Sequence, residues 1–471
     1  MEKKTKIVAT VSDMRCDVDF IKKLHEAGMN VVRLNTAHQT LDDTLKVVNN
    51  VRKVSENIAL LLDTKGPEIR TSKSDVKVEL KRGDIVKIKG DAAKSTDNEF
   101  VYLSHSNFVN EVEVGNKILI DDGELELVIV EKKNDFLLCQ ATNNGIIKGK
   151  KSVNVPNAKF SLPALTDKDR DYIEFAIMHD IDFIAHSFVR NKEDVRQIQE
   201  ILDARGSRVK IIAKIENQEG VDNIDEILEN VYGIMVARGD LAIEVPYEKI
   251  PGVQKKIINK CIEARKPVIV ATQMLHSMIT NPRPTRAEVT DIANAIYSKT
   301  DAVMLSGETA YGEYPIEAVQ TMATIAKEVE QSRGDFHKTP IVVVSSKTSA
   351  YLTKSAVEAS IKLDAKVIVA DTTTGRTMRN MAGFRGRKPV YVQCYDQRVV
   401  RELALSFGMF GRFLESNNMN EFIKVSLNQL ITSGTVTNDD RIVVIGGNYG
   451  ETHGASFIEI STVENLRKHY C

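Results

Sequence analysis

The sequence predicts an α/β protein: a (β/α)8 TIM barrel with an inserted small all-β domain and a C-terminal α/β domain. Three observations lead to this prediction. Eight short, apolar, β-branched runs alternate with longer amphipathic segments, a pattern typical of βα units around a parallel sheet. Roughly 120 residues of a different texture separate the third run from the fourth, far more than a βα connection needs. A second α/β alternation follows the eighth run.

The eight apolar runs are the predicted barrel strands. They cover residues 6–11, 30–35, 58–63, 182–188, 210–216, 233–238, 267–272 and 301–306. Eight units favour a closed barrel over an open doubly wound sheet, and no GxGxxG motif follows any of these strands. Between the strands, Thr166 with Asp169 and Thr285 with Glu288 have the spacing of capping boxes, which predicts that helices begin there.

The long segment between the third and fourth strands alternates apolar and polar residues around turn sequences, as antiparallel hairpins do. The turn sequences are KRGD (81–84), DDG (121–123) and KND (133–135). We therefore expect a barrel domain at 1–71 and 157–335, an all-β insert at 72–156 and an α/β domain at 336–471. The polar stretch 331–340 suits a linker.

The C-terminal region repeats the alternation on a smaller scale. Its predicted strands are 366–371, 389–394, 441–447 and 455–460, and its predicted helices are 350–363, 398–407 and 419–430. A TTTGRT turn follows the first of these strands and opens a further predicted helix.

Charge and composition restrict the function. The chain of 471 residues has 64 Lys+Arg and 65 Asp+Glu, a formal net charge of -1, which argues against nucleic-acid or membrane binding driven by bulk charge. No apolar run approaches the ~20 residues that cross a bilayer, and the first residues lack the apolar core of a signal peptide. The five cysteines are scattered without metal-ligand spacing. We expect a cytoplasmic protein with reduced thiols.

Polar residues mark the ends of the predicted barrel strands, where TIM barrels carry their active sites. Purely structural positions at these ends would mostly be apolar, so a shared site is the better interpretation. The polar residues are Arg33, Asn35, Asp63, Thr64, Lys65, His186, Ser187, Lys214, Glu216, Arg238, Asp240, Thr272, Ser306 and Glu308.

Two of these residues, Glu216 and Asp240, follow adjacent strands with no His or Cys nearby, which favours a hard divalent ion such as Mg²⁺ or Mn²⁺. Lys214 lies two residues before Glu216, so both side chains point to the same face of the strand. A lysine beside such a metal site suits an oxyanion or a phosphoryl group in transfer, although a structural Lys214–Glu216 ion pair is the better explanation of these two residues taken in isolation. Arg33 and Arg70 add cations that can hold phosphate.

Longer strings of the sequence resemble the pyruvate kinase family over essentially the whole chain. These strings are GMNVVRLN, LLDTKGPEIRT, KIIAKIENQEGVDNIDEIL, GIMVARGDLAIEVP, KPVIVATQML and NPRPTRAEVTDIANAI with DAVMLSGETA. The resemblance implies transfer of a phosphoryl group from phosphoenolpyruvate to ADP, giving pyruvate and ATP, the last step of glycolysis. It also implies Mg²⁺ (or Mn²⁺) and K⁺ as cofactors and a homotetramer.

The resemblance implies a role for each matching residue in catalysis. Lys214 would stabilise the phosphoryl group in flight and the enolate oxygen, and Arg33 would bind the transferring phosphate. The backbone at Gly239 and Asp240 would bind the substrate carboxylate. Thr272 would place the substrate and the water chain that protonates the enolate.

Further residues would hold metals, the nucleotide and an effector. The implied Mg²⁺ ligands are Glu216 and Asp240; the K⁺ ligands are Asn35, Asp63 and Thr64; the nucleotide-binding residues are Asn35, His38, Arg70 and Lys151. Since Lys151 belongs to the hinge of the insert, we expect the insert to close as a lid. Hydroxyls at Thr372, Thr374 and Thr377 resemble a loop that holds the phosphate of an effector, a sugar phosphate or a nucleotide; an ordinary capped turn is the other interpretation.

The sequence departs from the family at the K⁺ site. RLNFSHG in the family is RLNTAHQ here, so Ala37 replaces a serine whose hydroxyl usually binds K⁺. Glu68 resembles the K⁺-dependent members. We predict that K⁺ still binds, more weakly, with water in place of the hydroxyl.

Two other functions are open at this point. One is another metal-dependent barrel enzyme that handles phosphoenolpyruvate or pyruvate, since strand-end carboxylates are widespread in barrels. The other is a catalytically weakened, metabolite-binding relative, suggested by Ala37. His186 either titrates near neutral pH beside a phosphate or is a packed residue.

Overall fold

The computed structural model describes residues 2–37, 39–74, 76–332, 340–342, 346–415, 421–447 and 454–471. Its strands are β1 (Lys6–Thr10), β2 (Val31–Asn35), β3 (Ala59–Asp63), β4 (Val78–Leu80), β5 (Ile85–Gly90), β6 (Val101–Leu103), β7 (Lys117–Ile120), β8 (Leu125–Lys132), β9 (Leu137–Ala141), β10 (Gly145–Ile147), β11 (Val153–Asn154), β12 (Phe183–His186), β13 (Lys210–Ile215), β14 (Gly233–Ala237), β15 (Val268–Ala271), β16 (Ala302–Leu305), β17 (Ile368–Thr372), β18 (Val390–Cys394), β19 (Met409–Phe413), β20 (Arg441–Gly446) and β21 (Phe457–Thr462).

The helices are α1 (Val18–Ala27), α2 (Leu41–Val54), α3 (Asp167–Met178), α4 (Lys192–Ala204), α5 (Gln218–Asp222), α6 (Ile224–Asn230), α7 (Arg238–Glu244), α8 (Ile250–Glu263), α9 (Arg286–Tyr297), α10 (Gly307–Ala310), α11 (Pro315–Ser332), α12 (Lys347–Lys362), α13 (Arg376–Gly383), α14 (Gln397–Leu403), α15 (Phe422–Thr432) and α16 (Val463–Tyr470). Both predicted capping boxes are present, at the starts of α3 and α9.

Eight parallel strands form a closed barrel in the order β1-β2-β3-β12-β13-β14-β15-β16, with β16 pairing back to β1. All eight predicted strands are in it, and the predicted fold class is confirmed. Between β3 and β12 the chain builds the insert, yet these two strands are direct neighbours, with Phe183 opposite Leu61. The barrel is therefore assembled from two separate stretches of chain.

Alternation along the barrel strands decides which side chains reach the centre. Apolar residues such as Leu61 and Phe183 fill the barrel interior, whereas Leu62 and Ile184 pack outward against the helices. Since successive strand residues point to opposite faces, the same alternation brings the polar side chains that follow the interior residues to the mouth of the barrel. The site is built on these side chains.

The insert contains a six-stranded sheet, in the order β11-β7-β8-β9-β5-β6, and a two-stranded sheet of β10 and β4. The predicted hairpins at DDG and KND are confirmed as β7–β8 and β8–β9. The predicted hairpin at KRGD is wrong. A tight turn is present, with the Lys81 N–H donating to Asp84 Oδ2 at 2.8 Å, but β4 pairs with β10 and β5 pairs with β9. The turn therefore connects two different sheets.

The two chain segments that join the insert to the barrel lie side by side. The Thr71 N–H donates to the Lys151 carbonyl at 2.9 Å, the Lys150 N–H returns a 2.9 Å bond to Thr71, and the Val153 N–H donates to Ile69 at 2.8 Å. The insert is thus attached through a hydrogen-bonded, two-stranded connection. The residue bounds of the three domains stay a prediction.

The C-terminal region forms a five-stranded sheet in the order β19-β18-β17-β20-β21, parallel except for the β20–β21 pair. The sequence prediction omitted β19, whose Gly411 and Arg412 interrupt the apolar pattern. It also extended α14 to Phe407, four residues beyond its end. The predicted linker lies largely at 333–339, outside the described residues. No helix in the described part of the chain is long and apolar enough to cross a membrane.

A buried ion pair joins the bottom of the barrel to the C-terminal sheet region. Asp301, just before β16, accepts hydrogen bonds from Arg385 at 2.9 and 2.5 Å, and both side chains are only 3% exposed. The same carboxylate also accepts from the backbone N–H groups of Val268 and Phe407. Every carboxylate oxygen is therefore satisfied at this interface.

Arg385→Leu is expected to destabilise the protein by about 3–5 kcal/mol, because it leaves the Asp301 carboxylate buried without a cation. Thermal and urea unfolding measure the loss. The matched control is Arg208→Leu, which removes an exposed pair with Asp396 and is expected to cost below about 1 kcal/mol. Equal losses in the two variants would contradict the interpretation.

Candidate functional site

An ion-pair network occupies the mouth of the barrel. The Lys214 Nζ, at the end of β13, lies 3.1 Å from Asp63 Oδ1 and 3.0 Å from Glu216 Oε1. Arg33, from β2, donates its Nε–H to Asp63 Oδ2 at 2.6 Å. The two carboxylates are almost completely buried, while the two cations keep 11–12% of their side chains exposed. The cations are therefore held at the bottom of the mouth with a small face open to a ligand.

Burial and charge set the protonation of this network. Although burial opposes it, Lys214 and Arg33 together lower the pKa of Asp63. In the same way, Asp63 and Glu216 raise the pKa of Lys214 above its ordinary value against the effect of burial. The ammonium of Lys214 is therefore fully charged at neutral pH and is available to hold a phosphoryl oxygen.

The two carboxylate oxygens of Glu216 have different surroundings. Its Oε2 accepts the Phe188 N–H at 2.6 Å, whereas its buried Oε1 accepts no hydrogen bond. Burial, with the nearby Asp240 carboxylate, raises the pKa of Glu216 to about 8 although Lys214 opposes the shift. A divalent cation between these two carboxylates would offset their mutual repulsion and use the free oxygen, so the residues fit Mg²⁺ or Mn²⁺.

Phe188 holds Glu216 from an unusual backbone conformation. Its φ is +55°, in the left-handed region, and Gly66 at φ +69° packs closely against it. A Cβ at Gly66 would lie 2.9 Å from both the Phe188 ring and Ser187 Cβ. The close approach of the two loops thus fixes the N–H that orients Glu216.

Thr272 directly follows β15 and also lies in the left-handed region, at φ +69°, which is strained for a β-branched residue. Its Oγ1 accepts the Gly239 N–H at 2.7 Å, and its carbonyl accepts from Arg238 at 2.7 Å. Arg238 is in turn held by Asp291. The structure thus brings Thr272 together with Gly239, next to Asp240, as the sequence predicted them to be grouped.

The predicted K⁺ ligands lie together at the ends of β2 and β3, where Asn35 and Asp63 are register partners. The Thr64 carbonyl already accepts a hydrogen bond from Ser187 at 2.6 Å but retains a second lone pair. Thr36, beside Ala37, is fully buried, and its Oγ1 donates to the Asp63 carbonyl at 2.8 Å. Three of the four oxygen donors of the family's set are therefore present, which fits weakened K⁺ binding.

The predicted nucleotide-binding cations are separate from the Lys214 network. Arg70 donates to Glu68 at 2.9 Å and to the Lys150 carbonyl at 2.6 Å. Lys151 contacts Asp121 at 2.8 Å. Both cations belong to the connection between barrel and insert, and both are partly exposed. His38 lies outside the described residues.

His186 does not face the network. It is fully buried, and burial lowers its pKa to about 4. The residue is therefore a neutral, packed histidine at pH 7, which favours the second of its two interpretations, although neither ring nitrogen has a hydrogen-bond partner among the described residues.

The predicted effector hydroxyls lie at the start of α13. Thr372 Oγ1 accepts the Gly375 N–H at 3.0 Å, so this hydroxyl caps the turn, while Thr377 Oγ1 lies 3.5 Å from Ser349 Oγ. Thr374 is exposed. Hydroxyls from α12 and α13 therefore lie close together at this loop.

Comparison with family models then decides the family. The barrel-domain model of pyruvate kinase matches residues 2–319, and the alpha/beta-domain model of pyruvate kinase matches residues 351–461. The chain belongs to the pyruvate kinase family. This confirms the resemblance and excludes the first alternative, a barrel enzyme of another family.

Pyruvate kinases from several bacteria are similar to the chain over almost all its length. The pyruvate kinase of Borreliella burgdorferi is 50% identical and aligns with 99% of each chain. That of Geobacillus stearothermophilus is 42% identical over 99% of this chain and 81% of the relative, and that of Bacillus licheniformis is 41% identical over 98% and 81%. The chain thus spans the greater part of these pyruvate kinases.

Proposed function

We propose that this pyruvate kinase family member transfers the phosphoryl group of phosphoenolpyruvate to ADP, giving pyruvate and ATP. The observation that carries the proposal is the buried, charged Lys214 between Asp63 and Glu216, with Arg33 beside it. Phosphoryl transfer needs positioned cations more than a nucleophile, and this site offers cations at the mouth of a barrel.

Lys214 and Arg33 act on the group in transfer. Arg33 donates hydrogen bonds from Nε to Asp63 and from Nη1 to Thr10 Oγ1. The remaining N–H groups of its guanidinium can therefore donate to a phosphoryl oxygen. Lys214 balances the negative charge that develops on the phosphoryl and enolate oxygens. Their shared carboxylate, Asp63, keeps the two cations apart at a fixed distance.

Glu216 and Asp240 hold Mg²⁺ or Mn²⁺ in this proposal. The bound ion supplies positive charge to the substrate oxygens beside Lys214. Gly239 and Asp240 provide backbone N–H groups for the substrate carboxylate, and the Gly239 N–H would exchange its present acceptor, Thr272 Oγ1, for that carboxylate. Thr272, whose hydroxyl also donates to the Ala271 carbonyl at 2.6 Å, places the substrate next to them.

Arg70 and Lys151, with Asn35 and His38, bind the nucleotide phosphates in this proposal. Because the first two belong to the connection to the insert, a bound nucleotide would draw the insert over the barrel mouth and exclude water from the transfer. Arg70 and Lys151 would exchange their present carboxylate partners, Glu68 and Asp121, for phosphate oxygens.

We further propose that the protein is a cytoplasmic homotetramer and that Thr372, Thr374 and Thr377 hold the phosphate of a sugar-phosphate or nucleotide effector. Titrating fructose 1,6-bisphosphate, AMP and sugar monophosphates against the half-saturating phosphoenolpyruvate concentration tests the effector site. No response to any of them would favour an unregulated enzyme.

K⁺ is expected to raise the rate, with a half-saturating concentration lowered several-fold by Ala37→Ser, because the hydroxyl restores the missing oxygen donor. The rate is measured against KCl with ionic strength and Mg²⁺ held constant. A flat response of the unmodified protein to KCl would contradict K⁺ binding at Asn35, Asp63 and Thr64.

One coupled assay tests the activity itself. Pyruvate formed from phosphoenolpyruvate is followed with and without ADP, at fixed Mg²⁺ and K⁺. ADP-dependent pyruvate formation is expected. Its absence in folded protein would favour the remaining alternative, a catalytically weakened metabolite-binding relative.

A further inference from the structure

Ser187 lies directly after β12 at the barrel mouth, with only 2% of its surface exposed. It continues the interior-facing series of Phe183 and Ala185, so its side chain points to the same mouth as Lys214. Its contacts show that it is part of the network that holds Lys214.

The Ser187 hydroxyl makes two short hydrogen bonds in opposite senses. It accepts a hydrogen bond from Lys214 Nζ at 2.7 Å and donates one to the Thr64 carbonyl at 2.6 Å. Asp63 Oδ1, at 3.4 Å, is a much poorer acceptor for that proton. Since a hydroxyl has one proton, its donation to Thr64 aims an oxygen lone pair at Lys214.

The backbone around the hydroxyl is held as firmly as the hydroxyl itself. The Ser187 N–H donates to Thr64 Oγ1 at 3.0 Å, and the Thr64 N–H donates to the Ala185 carbonyl at 3.0 Å. Ser187 and Thr64 are therefore locked to each other from both sides. The acceptor presented to Lys214 is fixed in place before any substrate binds.

The three contacts of the Lys214 ammonium are not equivalent. The contact to Ser187, at 2.7 Å, is a hydrogen bond, whereas those to Asp63 Oδ1 and Glu216 Oε1, at 3.1 and 3.0 Å, are ion pairs. The N–H groups of Lys214 that face the two carboxylates are therefore the ones most easily turned to a phosphoryl oxygen. The hydrogen bond to Ser187 fixes the direction in which they turn.

We propose that Ser187 is a positioning residue for phosphoryl transfer: its hydroxyl, anchored on the Thr64 carbonyl, holds the Lys214 ammonium in the orientation that the transition state requires. The inference rests on the role proposed for Lys214. Ser187 itself touches neither substrate nor nucleotide in this proposal, and it forms or breaks no covalent bond.

Ser187→Ala and Ser187→Cys test the proposal in the full-length protein. Loss of a hydrogen bond to a charged group is expected to lower kcat by about 10- to 100-fold in Ser187→Ala, with the KM for phosphoenolpyruvate within about threefold of the unmodified value. Ser187→Cys keeps a weak acceptor of similar shape, so its kcat is expected to lie between those of the Ser and Ala proteins. Ser360→Ala is the matched control, because Ser360 is also buried and donates a 2.7 Å bond to a backbone carbonyl, far from the site.

Thermal unfolding of all variants separates positioning from stability. A normal kcat per folded molecule in Ser187→Ala, or equal kcat losses in Ser187→Ala and Ser360→Ala, would overturn the proposal. If Lys214→Met is inactive while Ser187→Ala is normal, only the inference about Ser187 fails. If Lys214→Met retains normal turnover, the proposed role of Lys214 fails and the inference falls with it.

Discussion

Lys214→Met is expected to lower kcat by at least about a thousandfold while the protein stays folded. The ammonium is the one buried cation between Asp63 and Glu216, the two carboxylates that line the bottom of the mouth, and methionine fills similar volume without charge. Removing a cation that stabilises charge on a transferring phosphoryl group has effects on the order of 10³–10⁵ in other phosphoryl-transfer enzymes. Steady-state turnover under saturating substrates, Mg²⁺ and K⁺ measures the loss.

A matched substitution on the same strand provides the control. Lys210 lies at the opposite end of β13, where its nearest carboxylate, Glu402, is 3.9 Å away and a third of its side chain is exposed. Lys210→Met is therefore expected to keep kcat within a few fold. Circular dichroism and unfolding are used to show that both variants keep the same fold. Near-normal turnover in Lys214→Met would then contradict the role proposed for Lys214.

Glu216→Gln is expected to weaken binding of a divalent cation by at least about 100-fold, because one of only two carboxylates loses its charge. Mn²⁺ binding followed by calorimetry or by electron paramagnetic resonance measures this directly, without turnover. In unfolding experiments without metal, the variant is expected to remain folded, since an amide is as large as the carboxylate and needs no counter-charge at this buried position.

Glu219→Gln is the control for this second substitution. Glu219 lies only three residues later, in α5, is half-buried, and makes no ion pair or hydrogen bond with Lys214, Asp63 or Arg33 among the described residues. Its variant should bind Mn²⁺ as the unmodified protein does. Unchanged Mn²⁺ affinity in Glu216→Gln would remove Glu216 from the metal site, whatever happened to activity.

Local pattern was sufficient to predict the barrel and much of its mouth. Short β-branched runs separated by capped amphipathic helices are compatible with few folds other than a parallel barrel. The two-residue period of a strand puts the side chains of Lys214 and Glu216 on the same face. The same arithmetic could have found Ser187, two residues beyond the interior Ala185. The sequence marks Ser187 as a polar strand end but indicates no role for it, because the sequence around a serine does not show which acceptor its hydroxyl donates to.

Features that depend on contacts between distant loops could not be predicted in this way. The left-handed backbone of Phe188 exists because Gly66, 122 positions away, packs on it, and the N–H so positioned has no signature in the sequence. The predicted hairpin of β4 and β5 is wrong for a related reason. A turn sequence indicates that the chain reverses, but it does not indicate which strand the chain then pairs with. Asp63 was expected as a K⁺ ligand, whereas its ion pairs with Arg33 and Lys214 appear only when three strands meet.

The paired connection between barrel and insert has a consequence for how the chain can be synthesised and can evolve. Because Ile69 and Val153 are hydrogen-bonded neighbours, the intervening residues leave the barrel and return to it at almost the same point in space. The entropy of closing such a loop grows only with the logarithm of its length, so β3 and β12 can find each other at nearly the same cost whatever lies between them. The insert can therefore lengthen, shorten or fold first on the ribosome while the barrel's own strand order is left intact.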